Sequence, residues 1–292
     1  MTPKLYLLVI AHPDDESMFF LPTLKSLINQ HGDRQPPAQF KILCLSNGNY
    51  DGLGSTRETE LVDAARIISP QIQVTVLNDE KLQDGPSETW EVDHIEQVMR
   101  NFMNGFVHGE HDLRDIIVLT FDNLGVSGHI NHKDTYMGVK YFFNNFTSQQ
   151  SSLRGKGQET LETSLTKVKL SLLTLETIQN PILKYFPLVE IISLIVATLW
   201  IKMIRFLSKV VFGRRVSKDL LTTWIYDSDT KVRTWMFDPF LVRKAMKAHR
   251  TQFVWYRRLF IIFSRYSYAN TMEKVSCDGD TQNGLSKSEK QD

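Results

Sequence analysis

The chain has 292 residues, with 34 Lys and Arg against 33 Asp and Glu, a formal charge of +1, and is 42% hydrophobic and 23% charged. That balance excludes a disordered chain, a fibrous chain and a multi-span membrane protein, and leaves no overall basic field for nucleic acid. The two cysteines, Cys44 and Cys277, lie far apart, which argues against a disulfide framework, a thiolate zinc site and a CxxC redox centre.

Residues 5–10 form a continuous apolar run of buried-strand length, too short for a secretory signal core. Met18, Leu21, Leu24, Leu27 and Ile28 are at helical spacing and predict a helix over 17–30. A second strand is expected over 40–45. A helix is expected over 55–68, with Ser55 and Glu58 spaced as a capping box. A third strand follows over 73–77. Val92, Ile95, Val98, Met99, Phe102 and Phe106 make one stripe of a helix over 91–107. Residues 116–121 read as a fourth strand and 133–146 as a further helix. Strands alternating with helices predict an α/β core over residues 1–146, a largely parallel sheet with helices on both faces.

Residues 147–167 are polar and read as a flexible insertion, and 168–175 as another strand. The segment 182–212 is the most hydrophobic of the chain. Its charge-free centre, 191–201, is shorter than the roughly 20 residues a spanning helix needs. Lys202, Arg205, Lys209, Arg214, Arg215 and Lys218 crowd its C-terminal side. It reads either as a buried core helix or as a membrane-associating helix whose cationic flank suits anionic headgroups. Phe253, Trp255, Tyr256, Phe260 and Phe263, interleaved with Arg257, Arg258 and Arg265, suit a bilayer interface or an amphipathic helix on the sheet. The remainder of the catalytic domain is thus expected over 168–274, with a disordered tail over 275–292.

The chemistry-bearing residues cluster after predicted strands. His12-Pro13-Asp14-Asp15-Glu16 follows the first strand, and ligand sites in open parallel sheets lie beyond the carboxyl ends of the strands. Helix capping accounts for one carboxylate there, but not for an imidazole and three adjacent anions, which repel unless a cation or a proton-transfer role accounts for them. After the fourth strand, His129 and His132 stand three apart at a helix entrance. Two histidines plus a carboxylate with an open position make a catalytic zinc arrangement. A third loop, 46–61, holds Arg57, which suits either a substrate phosphate or hydroxyls, or an ion pair with Glu58, Glu60 or Glu16.

Taken together, Ala11-His12-Pro13-Asp14-Asp15-Glu16, the GLGSTRETEL run at 52–61 and the FDxxGVSGHxNH run at 121–132 resemble the PIG-L/LmbE-like de-N-acetylase family. The stretch 247–257 resembles its eukaryotic branch, which acts on N-acetylglucosaminyl-phosphatidylinositol (GlcNAc-phosphatidylinositol) in glycosylphosphatidylinositol (GPI) anchor synthesis at the cytoplasmic face of the endoplasmic reticulum membrane. The resemblance implies a Rossmann-like fold and a divalent metal ion, zinc before others, on His12, Asp15 and His132. It also implies Asp14 as general base, His129 as oxyanion donor, and Arg57 and His249 on the substrate side. Two competing readings are a de-N-acetylase of a soluble N-acetylglucosaminide and a non-catalytic membrane-attached subunit.

Overall fold

The computed structural model describes residues 4–32, 37–107, 115–156, 168–187, 223–236 and 238–276, with scattered helical positions between 192 and 207. Eight strands form one sheet: β1 Lys4–Ile10, β2 Gln39–Cys44, β3 Ile72–Val76, β4 Asp115–Phe121, β5 Lys169–Leu175, β6 Thr223–Asp227, β7 Lys231–Met236 and β8 Ala269–Val275. Their order is β3-β2-β1-β4-β5-β8-β7-β6. The first five pair in parallel, with Leu8 beside Ile42 on one side and Leu119 on the other. The last three are antiparallel and extend the sheet past β5. The expected parallel core is therefore present, and an antiparallel wing that the sequence reading had not separated is joined to it.

The apolar runs make the core because strands covered on both faces need no polar side. From Leu5 to Ala11 every residue is buried, as are Ile42, Leu43, Cys44, Leu119 and Phe121. The helices are α1 Leu21–His31, α2 Gly54–Ile68, α3 Val92–Val107, α4 Gly125–Gly128, α5 Ile130–Lys156, α6 Pro181–Tyr185, α7 Pro239–Ala248 and α8 Trp255–Phe263. α3 packs on α5, α7 on α2, and α1 over β6 and β7. A Cβ at Gly138 would stand 2.4 Å from the Ile95 side chain, so glycine permits the close approach of α5 to α3. The wing is tied to the core by a buried polar contact. Asn270 on β8 accepts from the Thr23 hydroxyl (2.9 Å) and donates to the Phe19 carbonyl (2.9 Å).

Several expectations are corrected. The helix expected over 17–30 opens instead as a π-turn, Glu16–Phe20, before α1. The capping box does not form: α2 starts at Gly54 without a side-chain cap, and Glu58 accepts from Asn47 Nδ2 at 2.9 Å. The flexible insertion begins later than expected, since α5 runs on to Lys156; residues 157–167 lie outside the described set. Most of residues 188–222, and with them most of the hydrophobic segment 182–212, and the tail from 277 also lie outside it. Among the described residues no helix is long and apolar enough to cross a membrane. Ile192, Ile195, Val196, Leu199, Trp200 and Met203 are helical and exposed, so at these positions a buried core helix is not what forms.

Candidate active site

The carboxyl ends of β1, β2 and β4 bring the sequence clusters together at one rim, above the strand from which the chain winds in both directions. The turn after β1 delivers His12 to Asp15, the segment after β4 delivers His129 and the first turn of α5 His132, and the loop after β3 delivers Asp84. Two backbone positions there are strained: Asp14 has φ 124° and Val126 φ 57°, both unusual without glycine. Around Val126 the loop is held from outside. The Val126 amide donates to Thr177 Oγ1 (2.8 Å), and Lys184 Nζ donates to the Val126 carbonyl (2.8 Å). Gly125 has φ 67°, and a Cβ there would lie 2.9 Å from that of His132.

His12, Asp15 and His132 are buried, with ligand atoms within 4.8 Å of one another. His132 Nε2 is 3.1 Å from Asp15 Oδ1, while its Nδ1 donates to the Gly125 carbonyl at 3.0 Å. The Phe121 ring stacks on His132 at 4.2 Å and fixes its plane. At His12 the neighbours of Nε2 are Asp84 Oδ1 and Asn131 Oδ1, both at 3.1 Å. Asn131 Nδ2 donates to the Glu88 carbonyl (2.6 Å), which turns the amide oxygen toward His12. With acceptors on both sides, Nε2 carries the proton, and Nδ1 is left facing Asp15 Oδ2 at 4.0 Å. Each histidine thus spends one nitrogen on an outer acceptor and keeps the other for the common centre, the arrangement metal-ligating histidines use. The donor set fits a divalent cation such as zinc. A second group, His12, Asp84 and His129, overlaps it through His12 and is less buried.

The two aspartates differ in surroundings. Burial would raise the Asp15 carboxyl, but the charge and hydrogen bond of His132 and the charge of His12 overcome it and hold Asp15 well below the usual range. Asp14 is raised, because burial outweighs the opposing charges of Arg257 and Arg57. Its Oδ2 lies 2.5 Å from Arg257 Nη1 and its Oδ1 3.8 Å from Arg57 Nη2. For His12, burial pushes the imidazole down, yet the Asp84 hydrogen bond and the nearby carboxylates leave it raised. For Asp84, burial is outweighed by His12, Arg57 and His129, so its carboxyl is lowered. His129 is lowered by burial and by the charges of His12 and His132. Its Nδ1 accepts from the Asn131 amide (3.3 Å), which puts the proton on Nε2.

Two expected substrate-side residues are turned inward. The Arg57 guanidinium is buried and donates to the carbonyls of Gly48 (2.8 Å) and Pro13 (2.9 Å) and to Asp84 (3.2 Å). Its acid partners are Asp84 and Asp14, not the three glutamates that the sequence offered. His249 has no exposed surface. Its Nε2 meets Glu16 Oε1 at 2.7 Å, and Glu16 also accepts from Ser17 Oγ (2.5 Å) and the Asp14 amide (3.1 Å). Burial would lower His249, but the Glu16 charge and hydrogen bond leave it raised.

Asp84, Asn131, Glu16 and Arg257 are site residues that the sequence reading did not assign. Glu16 stood inside the first cluster without a role, and Arg257 within the aromatic stretch. Asn131 stood inside the 121–132 run without a role, and Asp84 carried no signal beyond lying in a polar loop.

Comparison with known proteins identifies the family. Residues 7–143 match the family model described as PIG-L, GlcNAc-PI de-N-acetylase. The N-acetylglucosaminyl-phosphatidylinositol de-N-acetylase of Saccharomyces cerevisiae is 31% identical over 266 residues, covering 91% of this chain and 80% of that protein. A probable enzyme of that name from Dictyostelium discoideum is 32% identical over 281 residues, 93% of both. In fold, the chain is similar to the N,N'-diacetylchitobiose deacetylase of Pyrococcus horikoshii, with TM-score 0.50 and 15% identity over 94% of this chain and 84% of that one. With a relative above 30% identity aligned over nearly its whole length, the chain belongs to the GlcNAc-PI de-N-acetylase family.

Proposed function

We propose that the chain removes acetate from GlcNAc-phosphatidylinositol in GPI-anchor assembly, in a metal-dependent hydrolysis at the rim of β1 and β4. The observation that carries this is the division of labour between adjacent aspartates: Asp15 faces both histidines, and Asp14 pairs with two arginines. A divalent cation on His12, Asp15 and His132, zinc before others, would polarise the acetamide carbonyl and acidify water at neutral pH.

The protein side of the reaction follows from the surrounding groups. Asp14, whose carboxyl burial has made more basic, takes the water proton and returns it to the departing glucosamine nitrogen. The protonated Nε2 of His129 donates to the tetrahedral oxyanion, a contact worth about 3 kcal/mol in comparable sites. Arg57 holds Asp14 and Asp84 in register and so serves the substrate through the shape of the loops. His249 fixes Glu16, which in turn holds the Asp14 amide. The products are acetate and the glucosaminyl phospholipid.

The family's substrate is a lipid, and the exposed apolar helical residues of 192–203 and the aromatic face of α8 favour work at a membrane surface, by this reading the cytoplasmic face of the endoplasmic reticulum. The test is acetate release by purified protein from GlcNAc-phosphatidylinositol in mixed micelles. Wild type should release acetate, chelator should stop it, and added metal should restore it. Release that continues undiminished in chelator would refute the metal-dependent reading.

A further inference from the structure

Beside the catalytic rim runs a groove of about 550 Å³ between α6 and α8, walled by Tyr185, Phe186, Tyr256, Leu259, Phe260 and Phe263. Its lining also includes Met18 and Arg257, the residue whose guanidinium contacts Asp14. Its inner wall is built into the site as well. Phe260 packs edge-on against Phe19 at 5.6 Å, and Phe19 against His132 at 5.9 Å. The size is that of a small-molecule site, for which about 300–1,000 Å³ is usual. Leu259 and Phe263 are about half exposed, at 47% and 48%, and Phe186 is 65% exposed, a cost to leave open in water.

We propose that this groove receives an acyl chain of the glycerolipid substrate. The inference rests on the reading of the enzyme given above and adds a second subsite to it. The order of groups along the protein matches the order along such a substrate. Asp14 stands where the amide reacts, the cation Arg257 stands next, and the apolar walls follow. Along the lipid the order is acetamido sugar, phosphodiester, acyl chains. None of the residues lining the groove is acidic, so nothing there opposes the phosphate. An apolar groove whose lining includes Arg257, the partner of Asp14, suits one chain drawn out of the lipid phase. It is a different feature from the outer face of α8, where Trp255 stands 71% exposed.

The test compares two water-soluble substrates in solution, free of any lipid surface. One is GlcNAc-inositol phosphate without glycerolipid, and the other the dihexanoyl lipid below its micelle concentration. Each methylene withdrawn from water is worth about fourfold in affinity. Wild type should therefore show a KM for the dihexanoyl substrate lower by about tenfold or more. In Leu259→Ser, and separately in Phe263→Ser, that ratio should collapse toward one. Equal KM values in wild type, or an unchanged ratio in both variants, would overturn the groove while leaving the de-N-acetylase reading intact. Loss of vesicle binding in the variants with the ratio unchanged would assign the face to bilayer docking and overturn it too. If neither substrate releases acetate while the same protein hydrolyses the lipid in mixed micelles, the groove is overturned and the enzyme reading stands; if micelles also yield none, the enzyme reading fails and takes the groove with it.

Discussion

Replacing Arg57 by Ala separates a structural brace from a substrate contact. The guanidinium is buried and donates to two carbonyls, at 2.8 and 2.9 Å, and to Asp84 at 3.2 Å, with Asp14 at 3.8 Å. Each hydrogen bond to a charged group is worth about 1.5–3 kcal/mol, but the bonds share one side chain and do not add. Breaking a buried ion pair by removing one partner costs about 3–5 kcal/mol, because the other charge stays buried. We expect a loss of that size from Arg57→Ala, a large part of the roughly 5–15 kcal/mol of a typical domain. Arg57→Lys keeps the charge and loses the two-pronged donor, so it should fall between wild type and Ala. The assay is urea unfolding beside initial rates, each on metal-loaded protein. Activity should fall through kcat, since Asp14 and Asp84 lose their common restraint. An unchanged unfolding midpoint with a raised KM alone would refute the brace and return Arg57 to the substrate.

His249→Ala should leave the buried Glu16 side chain without its imidazole partner, at a cost of about 3–5 kcal/mol by denaturant unfolding; a change under 1 kcal/mol would contradict it. Burial, with the charges of Asp15 and Glu16, pushes the Cys44 thiol well up. Iodoacetamide at pH 8 should therefore leave Cys44 unmodified in the native protein and label it in urea, as read by peptide mass spectrometry. Gly125→Ala meets both a positive φ and the His132 Cβ, so it should lower metal content and stability together; wild-type values for both would show that the loop relaxes freely.

How much was legible depends on the kind of signal each segment carries. The five parallel strands are continuous apolar runs, and strands buried on both faces must read that way. The wing does not. β6 has no buried residue along TWIYD, and β8, ANTMEKV, buries Ala269 and Met272 but also Asn270, a hydrogen-bonding tie that breaks the apolar run. That His12, Asp15, His129 and His132 share one rim was legible because they follow strand ends the alternation already implied; which of them make the candidate metal set came from the family resemblance. The restraints around it were not, since they depend on distance in the chain. Arg57 reaches Asp84 across 27 positions and Pro13 across 44, and His249 meets Glu16 across 233. Nothing local distinguishes such an arginine from one at the surface. Arg257 was read as one cation among aromatics, and only the folded chain sets it against Asp14.

The central claim is that adjacent carboxylates do different work, Asp15 toward a metal and Asp14 toward a proton. Metal content measured beside kcat on Asp14→Asn and Asp15→Asn tests it most directly. Asp14→Asn should keep its metal, since His12, Asp15 and His132 all remain, and lose about 10²–10⁴-fold in kcat. Asp15→Asn should lose metal and recover part of its rate when metal is supplied in excess. Metal-free Asp14→Asn beside fully loaded Asp15→Asn would contradict the account and exchange the two roles.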